Sequence, residues 1–169
     1  MKYYGKYRGT VFNNIDPEQR GRLQAIVPDV TKAFPTNWAH PCVAMAGPQC
    51  GHVSVPPLGA AVWIEFEQGE RDHPIWTGCF WGSAAEVPAL SLATPPGLQA
   101  IVLQTIGQNT LSISDMPGPT GGILLKSTTG ATISINELGI ILNNGQGASI
   151  VMGPGPLITI NQGALTVVS

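Results

Sequence analysis

The chain has 169 residues and a formal net charge of −2, so it offers no basic surface of the kind that binds phosphate groups, and nucleic acid is not an expected partner. No apolar run reaches the roughly 20 residues that a membrane-spanning helix needs. The start of the chain also lacks the hydrophobic stretch of a secretory signal, so we expect the protein to be made and folded in the cytoplasm.

Charged residues are unevenly distributed along the chain. Residues 1–90 hold fifteen of the eighteen Asp, Glu, Lys and Arg residues, and the remainder has only Asp115, Lys126 and Glu137. This change of composition predicts two parts that are built differently. The predicted boundaries are a first domain at 1–88, a linker at 89–97 and a second domain at 98–169.

The first part shows strand patterns without the 3.6-residue apolar rhythm of a helix. Short alternating segments bounded by glycine, proline and asparagine predict five strands. These strands are expected at 7–12, 22–27, 38–45, 61–66 and 74–81. Five short strands in about 80 residues are typical of a small Greek-key barrel, of which the OB fold is the commonest.

The second part is a ladder of eight short apolar segments separated by glycine, asparagine and proline turns. The segments are 100–103, 111–114, 123–125, 132–135, 140–142, 149–152, 157–160 and 165–168. In the fourth of them, Ile133 and Ile135 alternate with Thr132 and Ser134, so one face is apolar and the other is small and hydroxylated.

Such a ladder cannot enclose its own apolar row, and it leaves both sheet edges open. Three copies around a three-fold axis would close the strands into a β-prism with an apolar interior. The side chains that we expect in this trimer core are Ile133, Ile135, Ile150, Ile158, Ile160, Leu165 and Val167.

A series of short motifs in the first part resembles the OB domain of tail-spike proteins. That group includes the baseplate hub and spike proteins of myophages, the valine-glycine-repeat spikes of type VI secretion and the spikes of extracellular contractile injection systems. The matching motifs are Gly9-Thr10-Val11, Asp16-Pro17, Gly21-Arg22-Leu23, Val27-Pro28, Trp38-Ala39, Ala46-Gly47, Pro57-Leu58-Gly59, the stretch 62–69, Pro74-Ile75-Trp76 and the stretch 78–82. The segment 70–73 departs from the family's Gly-Asp-x-x-x-Pro run, so we expect one surface loop to differ.

The resemblance implies an all-β protein in which an OB barrel is followed by a trimeric intertwined β-prism. It implies a structural homotrimer without enzymatic activity or cofactor, which assembles in the cytoplasm and then becomes part of a phage-tail-like particle. The barrels would plug the baseplate hub, and the prism would follow the axis of the inner tube and pierce the target membrane on firing. A PAAR-type tip protein is the implied partner at the C-terminal end.

Two short arms, His40-Pro41-Cys42 and Cys50-Gly51-His52, form the one pattern that suggests a metal. If the arms pair, two histidines and two cysteines would surround a tetrahedral zinc. Structural zinc sites more often place two to four residues between ligands, and Pro41 interrupts one arm. We therefore favour no metal, and we interpret Cys42, Cys50 and Cys79 as reduced thiols in the core.

Three further interpretations are weaker. Cys42 or Cys79 with a histidine could supply a nucleophile and a base, and Glu65 with Glu67 an acid pair, but no catalytic motif surrounds them. The four tryptophans could stack single-stranded nucleic acid, yet a binding groove needs interleaved lysine and arginine. The alternatives to a spike are thus a nucleic-acid-binding OB module with an oligomerising tail and a trimeric enzyme or carbohydrate binder.

Overall fold

The computed structural model describes residues 1–168, with the backbone alone at 163 and 166–168. The chain divides into two compact units between Ala84 and Ala85. Strands dominate both units, and the α-helices within 1–168 are four residues long, which confirms the predicted all-β class. In this described part of the chain, no helix is long and apolar enough to cross a bilayer.

The first unit contains seven strands and one short helix. They are β1 (Tyr7–Asn13), β2 (Gln24–Ile26), α1 (Pro28–Thr31), β3 (His40–Pro41), β4 (Ala46–Gly47), β5 (Cys50–Gly51), β6 (Ala61–Phe66) and β7 (Pro74–Cys79). Five of the strands form one sheet in the order β2-β1-β6-β7-β3, and β4 pairs only with β5. The β3–β7 pair is parallel and the other pairs are antiparallel.

The two edges of this sheet are joined by the segment that leads into β3. Leu23 donates a backbone hydrogen bond to Ala39, and Ala39 donates one back, at 3.2 and 2.7 Å. The inward-facing residues of the sheet form the core, and the predicted alternation of β6 is confirmed, since Val62, Ile64 and Phe66 are buried. The core comprises Val11, Leu23, Ala25, Val27, Val30, Ala39, Val62, Ile64, Phe66 and Trp76.

The strand predicted at 38–45 is much shorter in the structure, because only His40 and Pro41 pair with β7. Cys42 still donates a backbone hydrogen bond to Trp76 at 2.9 Å, and the chain then leaves the sheet. Residues 44–54 are all exposed and form the small hairpin of β4 and β5.

Asp16 organises the loop between β1 and β2. Its carboxylate accepts backbone hydrogen bonds from Glu18 at 3.0 Å and Arg20 at 2.8 Å, and it pairs with the Arg22 guanidinium at 2.7 Å. The side chains of Asp16 and Arg22 are only 4 and 8 % exposed. The hydrogen bond from Arg22 holds the pKa of Asp16 well below its usual range, more strongly than desolvation raises it.

The second unit begins with α2 (Ala89–Leu92) and continues as an antiparallel meander of eight strands in chain order. The strands are β8 (Ala100–Gln104), β9 (Thr110–Ser114), β10 (Gly122–Lys126), β11 (Thr132–Asn136), β12 (Gly139–Asn143), β13 (Ser149–Met152), β14 (Leu157–Ile160) and β15 (Leu165–Val168). All eight predicted segments are therefore strands.

The meander needs glycine where two hairpins approach closely. Gly139 starts β12 with a φ of +118°, and a Cβ atom at this position would overlap the carbonyl oxygen of Met152 on β13. Only a residue without a side chain fits there.

Candidate functional site

One face of the eight-stranded sheet is apolar across its whole width. Residues that lie directly opposite each other on neighbouring strands form rows that cross the sheet. Two such rows, defined below, are two residues apart along each strand, and their side chains therefore point to the same face. The first row contains Ile101, Ile113, Ile123, Ile135, Ile140, Met152 and Ile158. The second row contains Leu103, Leu111, Leu125, Ile133, Leu142, Ile150, Ile160 and Leu165. We call these two rows the apolar face.

The apolar face is largely open to solvent in the single chain. Ile101 and Leu103 are 60 % exposed, and Ile140 and Met152 are 36 % exposed. The more covered members of the face are half-buried: Leu111, Leu142 and Ile160. Monomeric soluble proteins rarely leave a contiguous apolar patch of more than a few hundred Å² uncovered. A face that is as apolar as a protein core but exposed in the single chain is typical of an interface between chains.

The second row also lines an open groove with a volume of about 920 Å³. Its apolar wall is formed by Leu111, Leu125, Ile133, Leu142, Ile150 and Ile160. The groove therefore belongs to the apolar face and is not a separate ligand pocket.

The opposite face of the sheet has a different composition. Its central row mixes apolar and hydroxylated residues: Val102, Ser112, Leu124, Ser134, Ile141, Val151 and Thr159. Ser112 is buried, and the Thr94 hydroxyl lies 3.4 Å from that of Ser114. The segment before β8 thus contacts this mixed face.

Asparagine side chains connect neighbouring hairpin turns. Asn109 accepts a hydrogen bond from the backbone of Thr128 at 3.1 Å, and Asn161 accepts one from Ser149 at 3.0 Å. At the opposite ends of the strands, Asn136 donates to the carbonyl oxygen of Pro119 at 2.9 Å. These bonds fix successive hairpins against one another and keep the rows of the apolar face aligned.

The predicted trimer-core residues lie on this surface. Ile133, Ile135, Ile150, Ile158, Ile160 and Leu165 all belong to the two rows of the apolar face. The backbone of Val167 pairs with that of Ile158, but its side chain lies outside the described residues. Their placement in the core of a trimer stays a prediction.

The zinc candidates are on separate elements. His40 is in β3, Cys42 follows that strand, and Cys50 and His52 belong to the β4–β5 hairpin. Among the described residues, no group of three or more His, Cys, Asp or Glu side chains is placed to hold a metal ion. The backbone of His52 donates to the carbonyl oxygen of Met45 at 3.0 Å, so the hairpin is closed by main-chain bonds.

The interpretation of the cysteines as core thiols is wrong in one respect. Cys42, Cys50 and Cys79 are free thiols, but all three are exposed. The reason is local. Cys42 is the last residue bonded to β7 before the chain leaves the sheet, Cys50 lies in the β4–β5 hairpin, and Cys79 is the last residue of β7. Partial desolvation raises the pKa of the Cys79 thiol, whereas a nucleophilic cysteine needs a lowered pKa.

The remaining candidates have structural partners. Glu65 forms an ion pair with Lys6 at 2.7 Å, and Glu67 begins a turn of 3-10 helix after β6. Trp76 is in the core and its indole donates to the carbonyl oxygen of Gly21 at 3.0 Å. The Trp63 ring instead lies on the outer side of the sheet against Phe80, so the tryptophans do not share one stacking platform.

Sequence reasoning missed most of the apolar face and all of the exposed hairpin. Leu103, Leu111 and Leu125 show the same alternation that identified Ile133 and Ile135, and the sequence signal was available for them. The hairpin at 44–54 has no such signal, because its two strands are two residues long.

Two family models match the chain, one for each unit. Residues 7–81 match the family described as "Type VI secretion system/phage-baseplate injector OB domain". Residues 100–166 match the family described as "Phage baseplate V C-terminal trimerisation domain". No curated protein sequence matches the chain.

Proposed function

Because the chain belongs to the family of baseplate spike proteins of phages and type VI secretion systems, we propose that it is a homotrimeric spike whose apolar faces meet around one axis. Membership of this family gives the protein a structural role in a baseplate. The observation that carries the finer proposal is the exposed apolar face of the eight-stranded sheet.

Three copies can cover this surface, since a three-fold axis can place one sheet from each chain around a common interior. The apolar rows of each chain would then be buried, and burial stabilises the trimer by roughly 25 cal/mol of free energy for each Å² of apolar surface removed from water. The seven residues from Ile133 to Val167 named above would form part of that interior. The mixed face, with its serine and threonine hydroxyl groups, would remain outside.

The proposed action is mechanical. The first domain, at 1–88, would plug the baseplate hub, the segment 89–97 would act as a linker, and the sheet at 98–169 would form a needle along the axis of the inner tube. Sheath contraction would drive this needle through the target membrane, with no bond made or broken by the spike. A PAAR-type protein would cap the C-terminal end, and assembly would begin in the cytoplasm.

Two neighbouring residues of β11 test which face lies inside the trimer. Ile135 is on the apolar face and is 44 % exposed in the single chain, so Ile135→Asp costs the isolated fold little. In a trimer the same change would bury three carboxylates, and we expect it to abolish assembly at micromolar concentration. Light scattering or sedimentation measures the mass of the variant.

The matched control is Ser134→Asp, one residue away on the mixed face. This variant is expected to keep the mass of the unmodified protein. If both aspartates leave the mass unchanged, or if both dissociate the assembly, the apolar face is not the trimer interior.

A further inference from the structure

The β4–β5 hairpin of the first unit is an arm that leaves the five-stranded sheet after Cys42. We define the arm as residues 44–54. From 44 to 54 every residue is exposed, with Met45 at 58 % and Val53 at 85 %. A two-stranded hairpin alone is only marginally stable in water. An arm of this kind therefore needs a surface to pack on.

The geometry of the arm is nevertheless well defined. Pro48 and Gln49 form its two-residue turn, and Gln49 has a φ of +58°. Proline at the first and positive φ at the second central position are features of a type II turn. The arm also lies in a stretch, 33–64, that contains no Asp, Glu, Lys or Arg. A long uncharged and exposed segment is suited to an apolar partner surface and poorly suited to solvent.

The outer side of the five-stranded sheet carries such a surface, and the arm is not part of it. We define the aromatic face as Arg8, Phe12, Trp63 and Phe80. The Trp63 and Phe80 rings are 4.7 Å apart, and the Arg8 guanidinium lies 5.4 and 5.0 Å from their centroids. Phe12 is 54 % exposed. Tryptophan and arginine are enriched among the residues that carry most of the binding energy at protein interfaces, and phenylalanine is enriched in interfaces generally.

We propose that the arm of each copy packs on the aromatic face of the next copy, so that three first units form a closed ring. This inference rests on the proposed trimer. Contacts between two different patches are head-to-tail, and such contacts close a ring when the rotation between copies allows it. The trimerisation domain of the same chain holds the three first units at high effective concentration, so even a small contact suffices.

Cross-linking of the 169-residue chain tests this contact. Thr10 is exposed on β1 between Arg8 and Phe12, and its Cα partner on β6 is Ala61. Thr10→Cys is introduced together with Cys42→Ser and Cys79→Ser, which leaves one thiol on the aromatic face and Cys50 on the arm. A short bis-maleimide is expected to convert this protein to covalent dimers and trimers on a denaturing gel.

Two controls, both with Cys42→Ser and Cys79→Ser, carry a single thiol each. The first keeps Cys50 and the native Thr10, and the second combines Thr10→Cys with Cys50→Ser. Head-to-tail packing predicts that neither gives linked chains. Linked dimers from either control would show like-to-like contact and overturn the proposal.

A second variant adds Met45→Glu and Val53→Glu to the two-thiol protein. Both positions are exposed in the single chain, so the fold should tolerate them. Loss of the buried apolar contacts should reduce the linked fraction about tenfold or more, while the light-scattering mass stays unchanged.

The outcomes separate this inference from the proposed function. A trimeric mass without links between chains, or links confined to single chains, overturns the packing of the arm and leaves the spike intact. A monomeric mass overturns the proposed trimer itself.

Discussion

Asp16 shows how a single residue organises a loop that has no regular secondary structure. Its carboxylate satisfies backbone N–H groups of Glu18, Arg20 and Arg22 and also pairs with the buried Arg22 guanidinium. The Arg22 guanidinium in turn lies 5.5 Å from the centre of the Trp38 ring. Sequence alone indicated a turn at Asp16-Pro17, but not that the carboxylate and the arginine would be buried together.

The charge of Asp16 is expected to make the thermal stability of the first unit fall at acid pH. The pKa of Asp16 in the folded chain is lower than in the unfolded chain, so the folded state binds fewer protons. The stabilisation is therefore present above about pH 4 and is lost as the pH falls further. Asp16→Asn should lower the Tm by several degrees at pH 7 and weaken the fall of Tm on acidification.

Tryptophan fluorescence can follow this melting, because all four tryptophans lie in the first unit. Glu18→Gln is the matched control, since the Glu18 side chain is 56 % exposed and its ion pairs with arginine contribute little. An Asp16→Asn variant with unchanged Tm at every pH would show that the carboxylate does not stabilise the loop.

The cysteines show where reasoning from single residues fails. Buried cysteine is a common small apolar residue, and the prediction of core thiols followed from residue type alone. Exposure depends on the path of the chain. Cys42 lies at the point where the chain leaves the sheet and Cys50 lies within the exposed segment 44–54, and no local sequence pattern predicts where this segment begins.

At the scale of elements, the strands of the second unit were predictable because their signals are local. Apolar alternation marks each strand, and glycine, asparagine or proline marks each turn, so all eight strands follow from the sequence. The predicted strand at 38–45 failed for the opposite reason. Its pairing with β7 is non-local, and it stops after Pro41, where the chain turns away from the sheet.

Gly139 is expected to be indispensable where β12 approaches β13. Gly139→Ala would combine a positive φ with an overlap between the new Cβ and the Met152 carbonyl oxygen. Strain of this kind costs about 2 kcal/mol or more, so the urea midpoint should fall by roughly 1 M. Circular dichroism at a fixed chain concentration measures the change, because the stability of an oligomer depends on concentration.

Gly153→Ala provides the control for this prediction. A Cβ at Gly153 would meet no atom within 4 Å, and this residue is not among the glycines with positive φ. Its substitution should change stability by no more than about 0.5 kcal/mol. Equal midpoints for the two variants would mean that the close approach of Gly139 to β13 is not required.

At the scale of the whole molecule, the apolar face is the feature that the sequence pattern predicts, that the strand register aligns and that agrees with the match to a trimerisation domain. Rows such as Ile123, Ile135 and Ile140 are aligned by the register of the strands, yet the single chain leaves them exposed. The sequence could predict that such a face exists. It could not predict how many strands share one uninterrupted sheet, because the register between strands is set by the turns and their cross-connections.

The mass of the purified 169-residue chain in solution tests the central claim most directly. Multi-angle light scattering should give about three times 17.7 kDa, since three apolar faces are needed to cover one another. A folded protein with a mass of 17.7 kDa would contradict the account, because the apolar face would then be stable in water without a partner.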